Sequence, residues 1–287
     1  MYKIISLCNQ KGGVGKTTCT LNIAAGLEKM GEKVLLIDLD PQAHLTYSLG
    51  VPAHELTRTV YDLFKGTHGI AEVMLTVDGL AMIPSSLELA GLEMELAGVP
   101  GREFILREVL NQAAEGFTYI FIDCPPSLGI LTLNALTAAR EIFIPLQTEF
   151  LALKGMSKLI ETIETVKKRL NPDLEITGII GTRYDARRKL NKGIIETISE
   201  RFGAKLFTTI IRENISLAEA PGYGQTIFRY APKSYGAEDF LALAGEIVAR
   251  NKVPAAPGGK RRSRPEGTPA KDAAPSGTSR AGKRTPA

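Results

Sequence analysis

An α/β fold, layered around a mostly parallel central sheet, is predicted by three features of this 287-residue sequence. Short runs that are apolar throughout, such as Lys33–Asp38 (KVLLID) and Thr118–Asp123 (TYIFID), suit parallel strands covered on both faces. Between the runs lie stretches whose apolar residues recur every three or four positions, the spacing of one helix face. The first run, Lys3–Cys8 (KIISLC), passes through a glycine-rich loop straight into a helical pattern. Strand, helix and strand in repeated order imply crossover connections and a layered sheet.

Taken in order, a helix is predicted from about Lys16 to Met30, then the Lys33–Asp38 strand, then a short strand at Leu80–Pro84. A helix near Glu103–Ala114 precedes the Thr118–Asp123 strand. Glu141–Leu146 (EIFIPL) and Ile176–Thr182 (ITGIIGT) are further strands. Between those two, Leu153, Met156, Leu159, Ile160, Ile163, Val166 and Leu170 fall on one helix face. Asn171-Pro172 ends that helix, because the residue before a proline is pushed out of the helical region. A last helix runs from about Ala237 to Asn251, and no internal repeat is present.

The formal charge of +4 is unevenly placed. Residues 254–287 hold eight Lys/Arg against Glu266 and Asp272, a net of +6, which leaves the first 253 residues at −2. That segment has no Leu, Ile, Val or aromatic residue, so it cannot bury enough apolar area to offset chain entropy. It is predicted to be a disordered basic tail behind a folded domain spanning residues 1–253. Cys8, Cys19 and Cys124 are an odd set with no C-x-x-C pair, each in or beside an apolar stretch. They are expected to be small buried side chains in a reducing compartment, not a disulfide framework. No signal-peptide pattern opens the chain, and no apolar run approaches the ~20 residues of a membrane span.

The sharpest signal is Gln10-Lys11-Gly12-Gly13-Val14-Gly15-Lys16-Thr17-Thr18, between an apolar strand and a helix. Successive backbone N–H groups of such a loop, feeding the positive end of a helix, form a cradle for phosphates. Glycine lets the backbone take unusual dihedrals and come close to the anion. Lys16 is expected to reach the outer phosphates of a nucleoside triphosphate, and the Thr17 hydroxyl to hold Mg²⁺. The strict G-x-x-x-x-G-K-[ST] pattern is not met, because position 10 is Gln; an extra lysine, Lys11, precedes the double glycine. Asp123 ends YIFID as a metal-serving aspartate should, directly or through water. Asp38 and Asp40, in LLIDLDPQ, end another strand, where carboxylates would face the phosphates. Asp38 is a further candidate for the metal.

KGGVGKTT, DLDPQ, IDCPPSLGILTLNAL, PLQTEFLALKG and LAEAPGYGQTI together resemble the ParA/Soj-type partition ATPases. These belong to the deviant Walker-A group that also holds MinD and the nitrogenase iron protein, and the match covers about residues 3–250. The resemblance implies a P-loop NTPase fold with an eight-stranded, mostly parallel sheet, and an ATP·Mg²⁺-dependent sandwich dimer. By it, Lys11, Lys16 and Asp40 are catalytic. Lys11 reaches across to the partner's nucleotide, Gly12 lies where two loops nearly touch, and Asp40 positions the attacking water. Thr18 contacts an inner phosphate, and Gly13, Val14, Gly15 and Thr17 complete the cradle. The base pocket is expected near Thr182–Asp185 and Arg212–Asn214, with Arg212 and Asn214 as contacts.

One departure stands out. Many chromosomal members read PRNVRLAEAPS where this chain has Arg212-Glu213-Asn214-Ile215-Ser216 before Leu217-Ala218-Glu219-Ala220-Pro221. Two arginines become Glu213 and Ser216, and the proline becomes Arg212. The cations available for DNA are Arg183, Arg187, Arg188, Lys189, Lys192 and Arg212, with Arg229 and Lys233 further along. The resemblance then implies a DNA-segregation ATPase of the cytoplasm and nucleoid. It would dimerise with ATP, coat non-specific DNA, turn over slowly and be released by a ParB-like activator. A ParA-like positioner of another cargo has the same core. A MinD-like membrane cycler would need an apolar C-terminal helix face that the tail lacks, so no stable membrane anchor is expected. A redox protein like the nitrogenase iron protein would need two cluster cysteines at a dimer axis.

Overall fold

The structure is a computed structural model that describes residues 2–113, 116–149 and 152–252; the expected basic tail lies outside these residues. Its strands are β1 (Lys3–Leu7), β2 (Val34–Asp38), β3 (Leu75–Val77), β4 (Leu80–Ile83), β5 (Tyr119–Asp123), β6 (Glu141–Gln147) and β7 (Glu175–Thr182). They form one sheet in the order β3-β4-β2-β5-β1-β6-β7, parallel except for β3 against β4. The layered, mostly parallel sheet is therefore as predicted.

Period-two alternation divides the core between the two faces of the sheet. Leu35, Ile37, Ile120 and Ile122 join one apolar cluster, with Leu106, Leu136, Met156, Leu159, Ile163, Val166 and Ile198 from helices Ile105–Ala113, Ile130–Ala138, Ala152–Arg169 and Lys189–Phe202. Their neighbours Val34, Leu36, Tyr119 and Phe121 join the other, with Leu21, Ile23 and Leu27 of helix Lys16–Lys29 and Phe240, Leu243 and Ile247 of helix Tyr235–Lys252. Continuous apolar runs were needed because both faces are covered.

Among the elements that escaped prediction are β3 and helix Ile130–Ala138. β3 joins the foreseen β4 in a hairpin around Asp78-Gly79, both at positive φ (52° and 86°), a strong two-residue turn signal that the sequence carries. Helix Ile130–Ala138 is buried all round, with eight of its nine residues inaccessible, so no apolar stripe marks it.

The eight strands implied by the resemblance become seven among the described residues. Leu206–Glu213 runs beside β7 and the residues just past it without a continuous ladder: it forms the isolated bridges Ile179↔Leu206 and Tyr184↔Arg212, with a further backbone bond from the Ile211 N–H to the Gly181 carbonyl at 2.8 Å. The ladder breaks because the backbone N–H groups of Thr208 and Thr209 turn away to the Glu246 carboxylate, both at 2.9 Å. Pro145, inside β6, is tolerated for a related reason. Its carbonyl faces the side where β1 has already given way to the glycine loop, and takes the Asn9 side-chain amide at 2.8 Å instead of a ladder partner.

Gly178 of β7 lies opposite Phe143, in a row of aromatics where Phe143 and Phe207 meet edge to face at 5.2 Å. A Cβ at position 178 would stand 2.5 Å from both rings. Neither ring can withdraw, since Phe143 and Phe207 are buried. Gly178→Ala is therefore expected to destabilise the domain by ~1–3 kcal/mol through overpacking, measurable as a lowered midpoint in urea unfolding. An unchanged midpoint would mean that the aromatic row can relax around the extra methyl.

Candidate functional site

Strand register brings the motifs together. Leu7 of β1 is level with Asp123 of β5, and Asp123 is level with Asp38 of β2. The glycine loop follows Leu7 by three residues, so the loop and both aspartates meet at the carboxyl edge of the sheet, where ligands of open α/β folds sit.

The loop has the backbone that its glycines permit. Gly13 and Gly15 are at φ 72° and 93°, a region that side chains rarely enter, and Gly15 stands at the head of helix Lys16–Lys29. Neighbouring strands tie the loop down. Gln147 at the end of β6 donates to the Gly13 carbonyl at 2.8 Å, and the Thr182 hydroxyl at the end of β7 donates to the Val14 carbonyl at 2.9 Å. Holding the Gly13 and Val14 carbonyls from outside suits a loop whose N–H groups are to be offered to an anion. A Cβ on Gly12 or Gly13 would meet nothing within 4 Å, so the space over the loop is open. Lys16 is only 8% exposed and makes no ion pair among the described residues, although it lies near enough to Asp123 to favour its ionised form. Lys11 turns the other way: its ammonium donates to Gln147 Oε1 at 2.6 Å and pairs with Glu149 at 3.2 Å.

The three aspartates are all buried but differ in their partners. Asp123 accepts from the Thr17 hydroxyl at 2.6 Å and the Thr20 hydroxyl at 3.2 Å. Burial, then the nearby Asp38 charge, pushes its carboxyl up to about 8. Asp38 spends its oxygens on the Thr46 N–H (2.9 Å), the Thr46 hydroxyl (2.7 Å) and the Asp40 N–H (3.1 Å), while burial raises it to about 6. This makes Asp38 the anchor of the segment bearing Asp40. Asp40 accepts the Gln42 N–H at 3.0 Å, and its carbonyl accepts the Ser85 hydroxyl at 2.8 Å. All three cysteines are free and buried, as expected.

The donor set fits a polyphosphate with a divalent cation. A buried unpaired ammonium and an open glycine cradle call for anionic oxygens, and a protonation-prone buried carboxylate beside a hydroxyl calls for a cation. Thr17 and Asp123 are the residues that would hold it.

Beside the loop opens a cavity of about 360 Å³, walled by Gly13–Gly15 and Thr18 on one side and by Thr182, Arg183 and Ile211–Ile215 on the other. The expected base-pocket segments thus come together next to the loop. Asn214 uses its side-chain oxygen to cap a short helix at Ser216 N–H, 2.8 Å away. Arg212 is drawn to Asp239 and Glu238 of the last helix. The remaining candidate cations, Arg183, Arg187, Arg188, Lys189 and Lys192, are exposed along one segment leading into helix Lys189–Phe202. Arg187 and Arg188 share Asp185, whose carboxyl is held down to about 2 by the side-chain and backbone hydrogen bonds of Arg187 and, less, by the charges of both arginines. Gln147, Thr20, Thr46 and Ser85 were not foreseen as site residues, and Thr182 was foreseen at the base pocket but not as a tether of the loop; only Thr20, three positions beyond Thr17 on the same helix, carried a local signal.

A family profile described as an AAA domain matches residues 2–176. The sequence is 44% identical over 251 residues to the sporulation initiation inhibitor protein Soj of Bacillus subtilis, covering 87% of this chain and 99% of that one. It is 41% identical over 254 residues to the chromosome partitioning protein ParA of Caulobacter vibrioides, covering 87% and 95%. A solved structure of cobyrinic acid a,c-diamide synthase from Mycobacterium smegmatis, with bound ADP and magnesium, matches with a TM-score of 0.78 at 34% identity, over 88% of this chain and 96% of that one.

The carboxyls of Asp123 and Asp38 hold protons more tightly folded than unfolded. Their contribution to stability is therefore fully present below the ordinary carboxyl range and is lost as pH rises through about 6 and then about 8. In metal- and nucleotide-free buffer, Asp123→Asn should gain stability over wild type steadily between pH 5 and pH 8.5. Thermal melts of both proteins across that range test this; parallel curves would show that Asp123 titrates normally.

Proposed function

Because the chain belongs to the ParA/Soj family of partition ATPases, we propose that its ATP-bound form is a sandwich dimer that binds non-specific DNA and is released when a ParB-like partner stimulates hydrolysis. The observation that carries this reading is the division of labour between two lysines on one loop. Lys16 is buried at the base of the loop, ready for phosphates. Lys11 is held on the outer side by Gln147 and Glu149, where a second copy of the chain could take it up for its own nucleotide.

In this reading the loop N–H groups from Gly12 to Thr18 and the Lys16 ammonium bind the phosphates of ATP, with Thr18 at the inner ones. Mg²⁺, held by Thr17 and Asp123, supplies charge neutralisation for phosphoryl transfer when bound. Asp40 orients the attacking water and is kept in place by Asp38 and Ser85. The adenine base occupies the cavity between the loop and the Thr182–Asp185 and Arg212–Asn214 segments. The exposed cations Arg183, Arg187, Arg188, Lys189 and Lys192 form the DNA face, and dimerisation doubles their phosphate contacts. Arg212 is better placed in the cavity wall than on DNA. No helix of the described residues is long and apolar enough to cross a membrane, and the proposed place of action is the cytoplasm, on the nucleoid.

Lys16→Ala should weaken ATP·Mg²⁺ binding ~100-fold or more, because a charge-assisted contact to phosphate is lost in a buried site. Thermal-shift titration measures this, and equal stabilisation of mutant and wild type would remove the loop from nucleotide binding. Gly12→Val should fold and bind ATP, since its side chain has open space within its own chain. It should nonetheless stay monomeric in light scattering with ATP, whereas Asp40→Ala should dimerise and hydrolyse poorly. A Gly12→Val dimer would rule out the sandwich.

A further inference from the structure

We propose that Asp239 is a positioning residue for recognition of the nucleotide base, acting through Arg212 to fix the cavity wall Ile211–Asn214. The proposal rests on the reading that this cavity takes the base of ATP.

After a break in the ladder at Thr208 and Thr209, the sheet holds the wall's backbone on either side of Arg212: the Ile211 N–H donates to the Gly181 carbonyl at 2.8 Å, the Tyr184 N–H to the Ile211 carbonyl at 3.1 Å and the Glu213 N–H to the Tyr184 carbonyl at 3.0 Å. The N–H and side chain of Arg212 itself are left to the last helix. Asp239 accepts the backbone N–H of Arg212 at 2.9 Å and its Nε–H at 2.9 Å, and Glu238 accepts from Nη2 at 2.7 Å. The guanidinium also lies 4.2 Å from the centre of the Tyr235 ring. One carboxylate thus grips both the main chain and the side chain of the same wall residue, which fixes that residue's direction as well as its position. Asp239 is 7% exposed, so removing Arg212 alone would leave its carboxylate buried without a partner. The next residue, Phe240, is fully buried and itself lines the cavity. A single helical turn therefore provides the apolar floor of the cavity and the clamp on its wall.

The clamp accounts for the departure at position 212. A proline there has neither the N–H nor the cation that Asp239 takes. The charge of Arg212 is consumed within the fold by Asp239 and Glu238, and its place is beside the ligand.

Titration calorimetry with two probes tests the assignment: ATP·Mg²⁺, and tripolyphosphate with Mg²⁺, which has phosphates and no base. Asp239→Asn should weaken ATP by about tenfold, the scale of a lost charged hydrogen bond, and leave tripolyphosphate unchanged. Arg212→Met combined with Asp239→Leu, an apolar pair of similar volume, should do the same without an unpaired buried charge, which keeps the test open if the single variant folds poorly. Asp239→Glu should recover part of the lost ATP affinity. Folded variants that bind ATP as wild type does overturn the proposal, and so does an equal loss for both probes, since that reports damage to the loop. A wild-type chain that binds tripolyphosphate but gains nothing from the base also overturns it. A wild type that binds neither probe defeats the nucleotide reading as a whole.

Discussion

Three carboxylates, those of Asp38, Asp40 and Asp123, are buried within electrostatic reach of one another at the carboxyl edge of the sheet, and much of the surrounding structure exists to make that tolerable. Like charges out of water raise one another's energy and hold on to protons. The chain offsets this with the hydroxyls of Thr17, Thr20 and Thr46, the N–H groups of Asp40, Thr46 and Gln42, and the Lys16 ammonium. The compensation is partial, as the raised proton affinity of Asp123 records. A site left in this condition favours a ligand that brings its own cation and presents anions to the loop. The electrostatic cost in the empty protein is thus tied to the selectivity of the filled one.

The glycine loop is held from outside the motif that names it. Gln147 and Thr182, at the ends of β6 and β7, take hold of the Gly13 and Val14 carbonyls. Asn9, just before the loop, reaches to Pro145 where a ladder bond is missing. These bonds point carbonyls outward and leave amides for phosphate. Gln147 has a second duty, since its other amide atom accepts from Lys11. The residue that orients the cradle also receives the lysine proposed to serve a second copy, so the state of the cradle and the freedom of Lys11 share one side chain.

The base side of the site is built on a different principle. Its outer wall is an incomplete strand, tied to the end of β7 by backbone bonds at Phe207, Ile211 and Glu213 and hung between them from carboxylates of the last helix, Asp239 at Arg212 and Glu246 at Thr208 and Thr209. In the proposed reading, phosphate recognition would rest on the centre of the sheet and base recognition on its edge.

Much of this protein was determined by local sequence. Continuous apolar runs identified the parallel strands, because burial on both faces leaves no polar position to alternate with. The loop identified itself, since Gly13 and Gly15 are demanded by backbone conformation and the Lys16-Thr17 pair is the one expected for phosphate and metal. Local pattern could not determine what depends on register and distant packing. The meeting of Asp38 with Asp123, the capture of Lys11 by Gln147 and Glu149, the conversion of an eighth strand into a hung wall, and the pairing of Arg212 with Asp239 all join residues far apart in the chain. Such contacts leave no periodicity in a single sequence. Their partners are chosen by where strands and helices end in space, and only the folded structure decides that.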